Sequence, residues 1–280
     1  MNQPLSFVHP QAKIADNVVI EPFVTIHKNV TIDAGTWIGS NVTIMEGAQI
    51  GKNCKIFPGA VISAIPIDRK FEGEESTVEI HDNVVIRQHA VVNRGTKAYG
   101  KTIIGAGSLI MPYVHVAHDC VLGENVIISN AVNLAGHVVI GDNAVLGGMS
   151  AVHQFVSIGA HAMISGGSMV LKDVPPYCKA ARYPLSYSGV NSVGLKRRGF
   201  TIEKMREIQE ILRVIFLKKY NVTQALSYLE AEFPVTDERD EIIDFIRDSK
   251  RGIMKGYQFM NGNGNGNGNG NGNGNGNSSK

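Results

Sequence analysis

An aliphatic residue recurs every six positions along most of this chain, and that spacing rules out a helix as its main architecture. The series runs Ile14, Ile20, Ile26, Ile32, Ile38, Ile44, Ile50, Ile56 and Ile62, pauses, and returns at Ile80, Ile86 and Val92. After a second pause it continues without a break from Ile104 to Val170. Four residues after each member sits a small or β-branched side chain, as at Val18, Val42, Ala60, Val126 and Ala144. An amphipathic helix wants apolar residues at a 3.6-residue period, whereas β-branched residues favour strands. The physical solution is a short strand followed by a corner, three times per coil, with the large and the small residue both pointing inward. Glycine, asparagine and aspartate ease the bends, as in Ile140-Gly141-Asp142-Asn143. A self-similar repeat of this kind stacks into a parallel β-helix.

Ordinary parallel crossovers are right-handed. Hexapeptide repeats, however, resemble the left-handed β-helix family, which implies a left-handed coil over residues 1–185. Two stretches leave the repeat, SAIPIDRKFEGEESTVE at 63–79 and NRGTKAYGKTI at 93–103, and both read as loops thrown out from the coil. Beyond Val174-Pro175-Pro176 the chain is irregular and basic through 199. Thr201 is then placed to cap a helix whose apolar stripe includes Ile202, Met205, Ile208, Ile211, Leu212 and Ile215. Further helices are expected at about 223–233 and 237–250, so residues 186–258 read as a small helical domain. The Asn/Gly alternation near the end has no flanking apolar strands to make hairpins of its turns, and disorder is expected over 261–280.

Composition narrows the function. A net charge of +2 with 19% charged residues argues against a nucleic-acid partner, which would select a basic stripe. The start, MNQPLSFVHP, lacks the basic and apolar regions of a signal peptide, and no run approaches the roughly 20 apolar residues of a membrane span. Cys54, Cys120 and Cys178 form neither a CxxC nor a paired framework. A cytoplasmic protein without a transmembrane segment is expected.

Residues one coil apart stack about 4.8 Å from each other. His118 lies two positions after inward Val116, at a corner, and one coil later comes Gly136 with His137 beside it. His153 and Gln154 fall one coil further on, and His115 precedes His118 by three. None of these histidines occupies an inward position, so they form an outer patch next to Asp119. Such a patch suits general-base catalysis by a histidine, with a backbone N–H such as that of Gly136 meeting an oxyanion. It also suits zinc held by three imidazoles with an open fourth position, as in hexapeptide-coil carbonic anhydrases.

Several segments in order carry a more specific likeness: His115-Val116-Ala117-His118-Asp119-Cys120, Leu134-Ala135-Gly136-His137, Gly147-Gly148-Met149-Ser150-Ala151-Val152-His153-Gln154-Phe155, Asp173-Val174-Pro175-Pro176-Tyr177 and Gly194-Leu195-Lys196-Arg197-Arg198-Gly199-Phe200. Together they resemble the UDP-N-acetylglucosamine O-acyltransferases, which open lipid A biosynthesis. The resemblance implies transfer of a (3R)-3-hydroxyacyl group from acyl carrier protein to the sugar 3-hydroxyl by a homotrimer with no cofactor. It implies His118 as general base, Asp119 as its orienting partner and Gly136 as oxyanion donor. Asp68, Lys70, His115, His137, His153, Gln154, Asn191 and Arg197 would contact substrate, and Gly166 would bound the acyl pocket, with Met169 nearby. Ile67, Arg69 and Val193 depart from the family pattern. The related N-acyltransferase carries an additional domain before its repeat, and here the repeat begins by Ile14.

Overall fold

The structure, a computed structural model, describes residues 5–256; the Asn/Gly stretch at 261–280 and positions 257–258 lie outside the described residues. Short parallel strands wind into three sheets of nine, eight and eleven strands. Each strand bonds to the one a full coil later, so Val116 pairs with Leu134, Leu134 with Val152, and Val152 with Val170. The inward positions anticipated from the six-residue period fill the coil: Ile26, Ile38, Ile62, Ile86 and Ile110 have no exposed surface, and neither do Val42, Ala60 or Val126 between them. Burying each large aliphatic side chain stabilises by roughly 1.5–3 kcal/mol. At several polar small inward positions the hydroxyl is satisfied at the corner. Thr36 donates to the Gly51 carbonyl at 2.8 Å, and Ser108 donates to that of Gly123 at 3.1 Å. Cys54, Cys120 and Cys178 are buried free thiols, and burial pushes Cys120 up to about 12.

The corners turn through a left-handed residue. Asparagine, which tolerates that conformation better than most side chains, occupies it at Asn29, Asn41, Asn53, Asn83, Asn125 and Asn143. Both departures from the repeat leave the same corner, between the nine-stranded and eight-stranded sheets. The strands Val61–Ala64 and Thr77–Ile80 bracket the first, and Val91–Asn93 and Lys101–Ile104 bracket the second. The excursions are therefore shorter than the break in the repeat suggests, 65–76 and 94–100, because ladder bonding resumes before the hydrophobic period does.

The stretch 177–199, read from the sequence as irregular, contains a hairpin and a helix. Cys178–Ala181 adds in parallel to Met163–Ile164 and pairs antiparallel with Ser186–Val190, which extends the eleven-stranded sheet past residue 185. Then come helices α1 (Ser192–Arg197), α2 (Ile202–Leu217), α3 (Val222–Glu232) and α4 (Asp237–Asp248). The Thr201 side chain caps α2 by accepting from the Lys204 N–H, and Asn221 with Gln224 forms a capping box on α3. Helix α2 buries Ile208, Ile211, Leu212 and Ile215, and Phe216 stacks on Tyr187 of the last hairpin at 4.5 Å. The helices are tied to the coil through Asp173, whose carboxylate accepts from Ser249 at 2.6 Å and from the Ser157 N–H at 2.8 Å.

Ile110→Ala is expected to lower the unfolding free energy by about 2–5 kcal/mol, the usual cost of a core cavity. Lys55→Ala, at an outward position, should change it by under about 0.5 kcal/mol. Denaturant unfolding of the two variants checks the inward assignment, which equal losses would contradict.

Candidate active site

The corner that throws out both loops also carries the histidines. Strand His115–Val116 leads into Ala117-His118-Asp119, Asn133–Leu134 into Ala135-Gly136-His137, and Ala151–Val152 into His153-Gln154-Phe155. With the ladder in register, His118 lies over Gly136 and Gln154, and Asp119 over His137 and Phe155. The corner bonds agree: the His137 N–H donates to the His118 carbonyl at 3.1 Å, and the Phe155 N–H to that of Gly136 at 3.2 Å. The left-handed position, Asn29 and Gly47 at this corner of earlier coils, is here filled by Asp119, His137 and Phe155.

His118 lies outside the coil yet is only 6% exposed, and Asp119 is only 3% exposed. Asp119 Oδ2 lies 2.8 Å from His118 Nδ1 and 3.7 Å from His137 Nε2. An ionised carboxylate only accepts, so His118 Nδ1 carries a proton, and the tautomer of a neutral ring that fits this bond has its lone pair on Nε2. The imidazole rests on the Gly136 backbone: a Cβ at 136 would stand 2.6 Å from Cε1 and 2.7 Å from Nε2. Among the described residues no acceptor takes the Gly136 N–H. The His137 ring meets His118 edge-on at 5.2 Å and stacks on Phe155 at 4.6 Å. Burial lowers the pKa of His137, helped by the neighbouring His118 and opposed by Asp119 and Asp68. Burial, with a smaller push from His118, also lowers His115.

The remaining expected residues spread outward from this centre. Asp68, in the first loop, acts on His137 electrostatically and accepts the Lys70 N–H at 2.9 Å; Lys70 itself is exposed. His153 is exposed and Gln154 half-buried. Asn191 caps α1 and donates to the His161 carbonyl at 2.9 Å, away from the His118 cluster, and Arg197 is exposed in the last turn of α1. Gly166 is exposed at another corner, above the Gly148 carbonyl. The sequence reading missed Thr96, which contacts Asp119, and Asn93, which accepts from His115 Nε2 at 2.7 Å. It also missed Phe155, which its 18-residue spacing from His137 would have placed over that ring.

Ligand atoms of His118, Asp119 and His137 lie within 4.8 Å of one another, and these are the residues that would hold a metal. The zinc reading needed His115 as well. Its imidazole points instead to Asn93, and the Asp119 oxygens already accept from Thr96 and His118. Three converging imidazoles are not what the corner builds.

Comparison with known proteins agrees with the likeness of the motifs. A family profile for UDP-N-acetylglucosamine O-acyltransferase, domain 2, matches residues 173–254. Profiles for bacterial transferase hexapeptide repeats and for the hexapeptide repeat of succinyl-transferase match 101–136 and 137–172, and one for the GMPPB C-terminal domain matches 2–97. An acyl-(acyl-carrier-protein)–UDP-N-acetylglucosamine O-acyltransferase of Sulfurihydrogenibium sp. is 54% identical over 89% of this chain and 93% of its own length. One from Trichlorobacter lovleyi is 48% identical over 90% of this chain and 98% of its own. The chain belongs to this family. Among solved structures, the UDP-N-acetylglucosamine acyltransferase of Bacteroides fragilis superposes with a TM-score of 0.90 at 47% identity, covering 91% of this chain and all of that one. That of Francisella novicida gives 0.89 at 41% identity, over 91% and 94%. The fold is the family's, a left-handed parallel β-helix with a short helical region behind it, and the chain is an acyltransferase.

Gly136→Ala should displace the His118 ring without touching the inward core. A misplacement of this size costs about 10²-fold in kcat. Steady-state kinetics beside a thermal unfolding curve test this, and normal turnover by the alanine variant would count against the packing described.

Proposed function

We propose that this enzyme moves a (3R)-3-hydroxyacyl group from the thioester of acyl carrier protein to the 3-hydroxyl of UDP-N-acetylglucosamine, the first step of lipid A biosynthesis. The observation that carries the mechanism is the buried Asp119–His118 pair with its ring against Gly136. His118 Nε2 takes the proton of the sugar hydroxyl as its oxygen attacks the thioester carbonyl. A C–O bond forms, and the carbonyl oxygen becomes an oxyanion that accepts from the Gly136 N–H. When the tetrahedral species collapses, the C–S bond breaks and the proton on His118 passes to the departing thiolate. Asp119 steadies the imidazolium between the two transfers, without itself taking the proton.

Asp68, Lys70, His137, His153, Gln154, Asn191 and Arg197 position the sugar nucleotide in this reading, with His115 at the inner edge and Gly166 beside the acyl chain. Because Asn191 and Arg197 stand apart from His118 within one chain, a homotrimer with each site between adjacent coils accounts for their role. An outward apolar column supports that assembly: Val85, Leu109, Ile127, Val145 and Met163 stack on one face of the eleven-stranded sheet, each half-buried. No helix among the described residues is long and apolar enough to cross a membrane. The cytoplasm is the proposed location.

His118→Ala should slow transfer of a labelled 3-hydroxyacyl group from carrier protein to UDP-N-acetylglucosamine by a factor on the order of 10² to 10⁴, the usual loss for a general base. The same assay across acyl lengths reads out the pocket at Gly166, and retained turnover by the alanine variant overturns the assignment of the base. Strong chelation should leave turnover unchanged, and inactivation reversed by added zinc would restore the metal reading.

A further inference from the structure

We propose that Thr96, carried by the 94–100 insertion, is a positioning residue that grips the Asp119 carboxylate and thereby sets the tautomer and aim of His118. The inference deepens the reading above and rests on His118 being the base.

Both oxygens of Asp119 are engaged by this one residue. The Thr96 N–H donates to Oδ1 at 2.9 Å, and its hydroxyl donates to Oδ2 at 2.7 Å. The direction of the second bond is settled by two facts. A carboxylate oxygen has no proton to give, and the Thr96 hydroxyl oxygen itself accepts from the Ala98 N–H at 3.3 Å. The hydroxyl's single proton therefore points at Oδ2, the oxygen that also meets His118 Nδ1. Thr96 is itself buried, 5% exposed, so water does not compete for these bonds.

The carboxylate thus cannot swing to another rotamer without losing two bonds in a buried place. With Asp119 held, Nδ1 of His118 must present its N–H, and Nε2 faces the substrate side as a lone pair. The His118 ring bonds to Asp119, rests on the Gly136 backbone and meets the His137 ring edge-on. The loop is in turn braced by the first insertion and the strand that leads into it. The Arg94 N–H donates to the Ala64 carbonyl at 2.9 Å, and the Lys97 N–H to Glu74 Oε1 at 2.9 Å. The second interruption of the repeat is, on this account, a clamp on the catalytic pair rather than a tolerated insertion.

Thr96→Val keeps the shape and the backbone N–H and removes only the hydroxyl. Measured beside wild type, Thr96→Ser, His118→Ala and the Thr96→Val/His118→Ala double variant, it should lose at least about tenfold in kcat, as outer partners of functional groups do. KM for both substrates should stay within about twofold, Thr96→Ser should recover most of the rate, and the double variant should be no slower than His118→Ala alone, because residues acting as a unit are not additive. Wild-type kcat in Thr96→Val, a loss confined to KM, a further loss in the double variant, or a Thr96→Val protein unfolded at the assay temperature each overturns the proposal. The two readings fail separately. Full turnover by His118→Ala removes the base itself, whereas a dead His118→Ala beside a normal Thr96→Val removes only the role given to Thr96.

Discussion

Every coil of this protein must return its strand to hydrogen-bonding distance of the strand below, and that closure, in 18 residues wherever no loop is inserted, governs the rest of the molecule. The ladder aligns the inward isoleucines into columns, so each buried side chain packs on its equivalents above and below. The same register acts on the outer surface, where it turns a sequence spacing into a spatial one. His118, Gly136 and Gln154 come together for the reason that Ile110, Ile128 and Leu146 do. A site built this way is rigid because moving any member requires unstacking a coil. Insertions are tolerated only at corners, since there the ladder resumes in register on the far side. Both loops of this chain obey that rule, and both use the corner that holds the histidines.

Burying an ionised carboxylate is costly unless its lone pairs are satisfied by donors. Asp119 meets that condition with charge-assisted bonds from Thr96 and His118, inside a corner the loop has closed over. Exclusion of water then strengthens the pull of the carboxylate on the imidazole. His137, lowered by burial, stands beside the pair as a neutral ring stacked on Phe155. The corner accepts left-handed Asp, His and Phe where earlier coils place Asn29 and Gly47, and the strain is supported by coils on both sides.

The helical region was legible where local signals are strong. Thr201 and Asn221 cap helices that begin one residue later, and the apolar stripe of α2 is the face that is buried. The hairpin Cys178–Ala181 with Ser186–Val190 was not legible. Its strands have no six-residue period and form because the last sheet of the coil offers an open edge. At the site, the stacking of His118, Gly136, His137 and Gln154 followed from arithmetic on the repeat. Thr96 and Asn93 did not, because they lie where the arithmetic stops.

The sequence by itself determined the coil, its inward residues, the corner that bears the histidines and the family to which the chain belongs. These are periodic or contiguous properties, and an 18-residue register converts them into three dimensions without further information. Only the tertiary structure decided that His118 is covered, that His115 turns to Asn93, and that Thr96 holds Asp119. Those contacts join segments about two dozen residues apart through a loop outside the repeat. A loop's path depends on what it packs against, and here it packs against the other loop and the corner below.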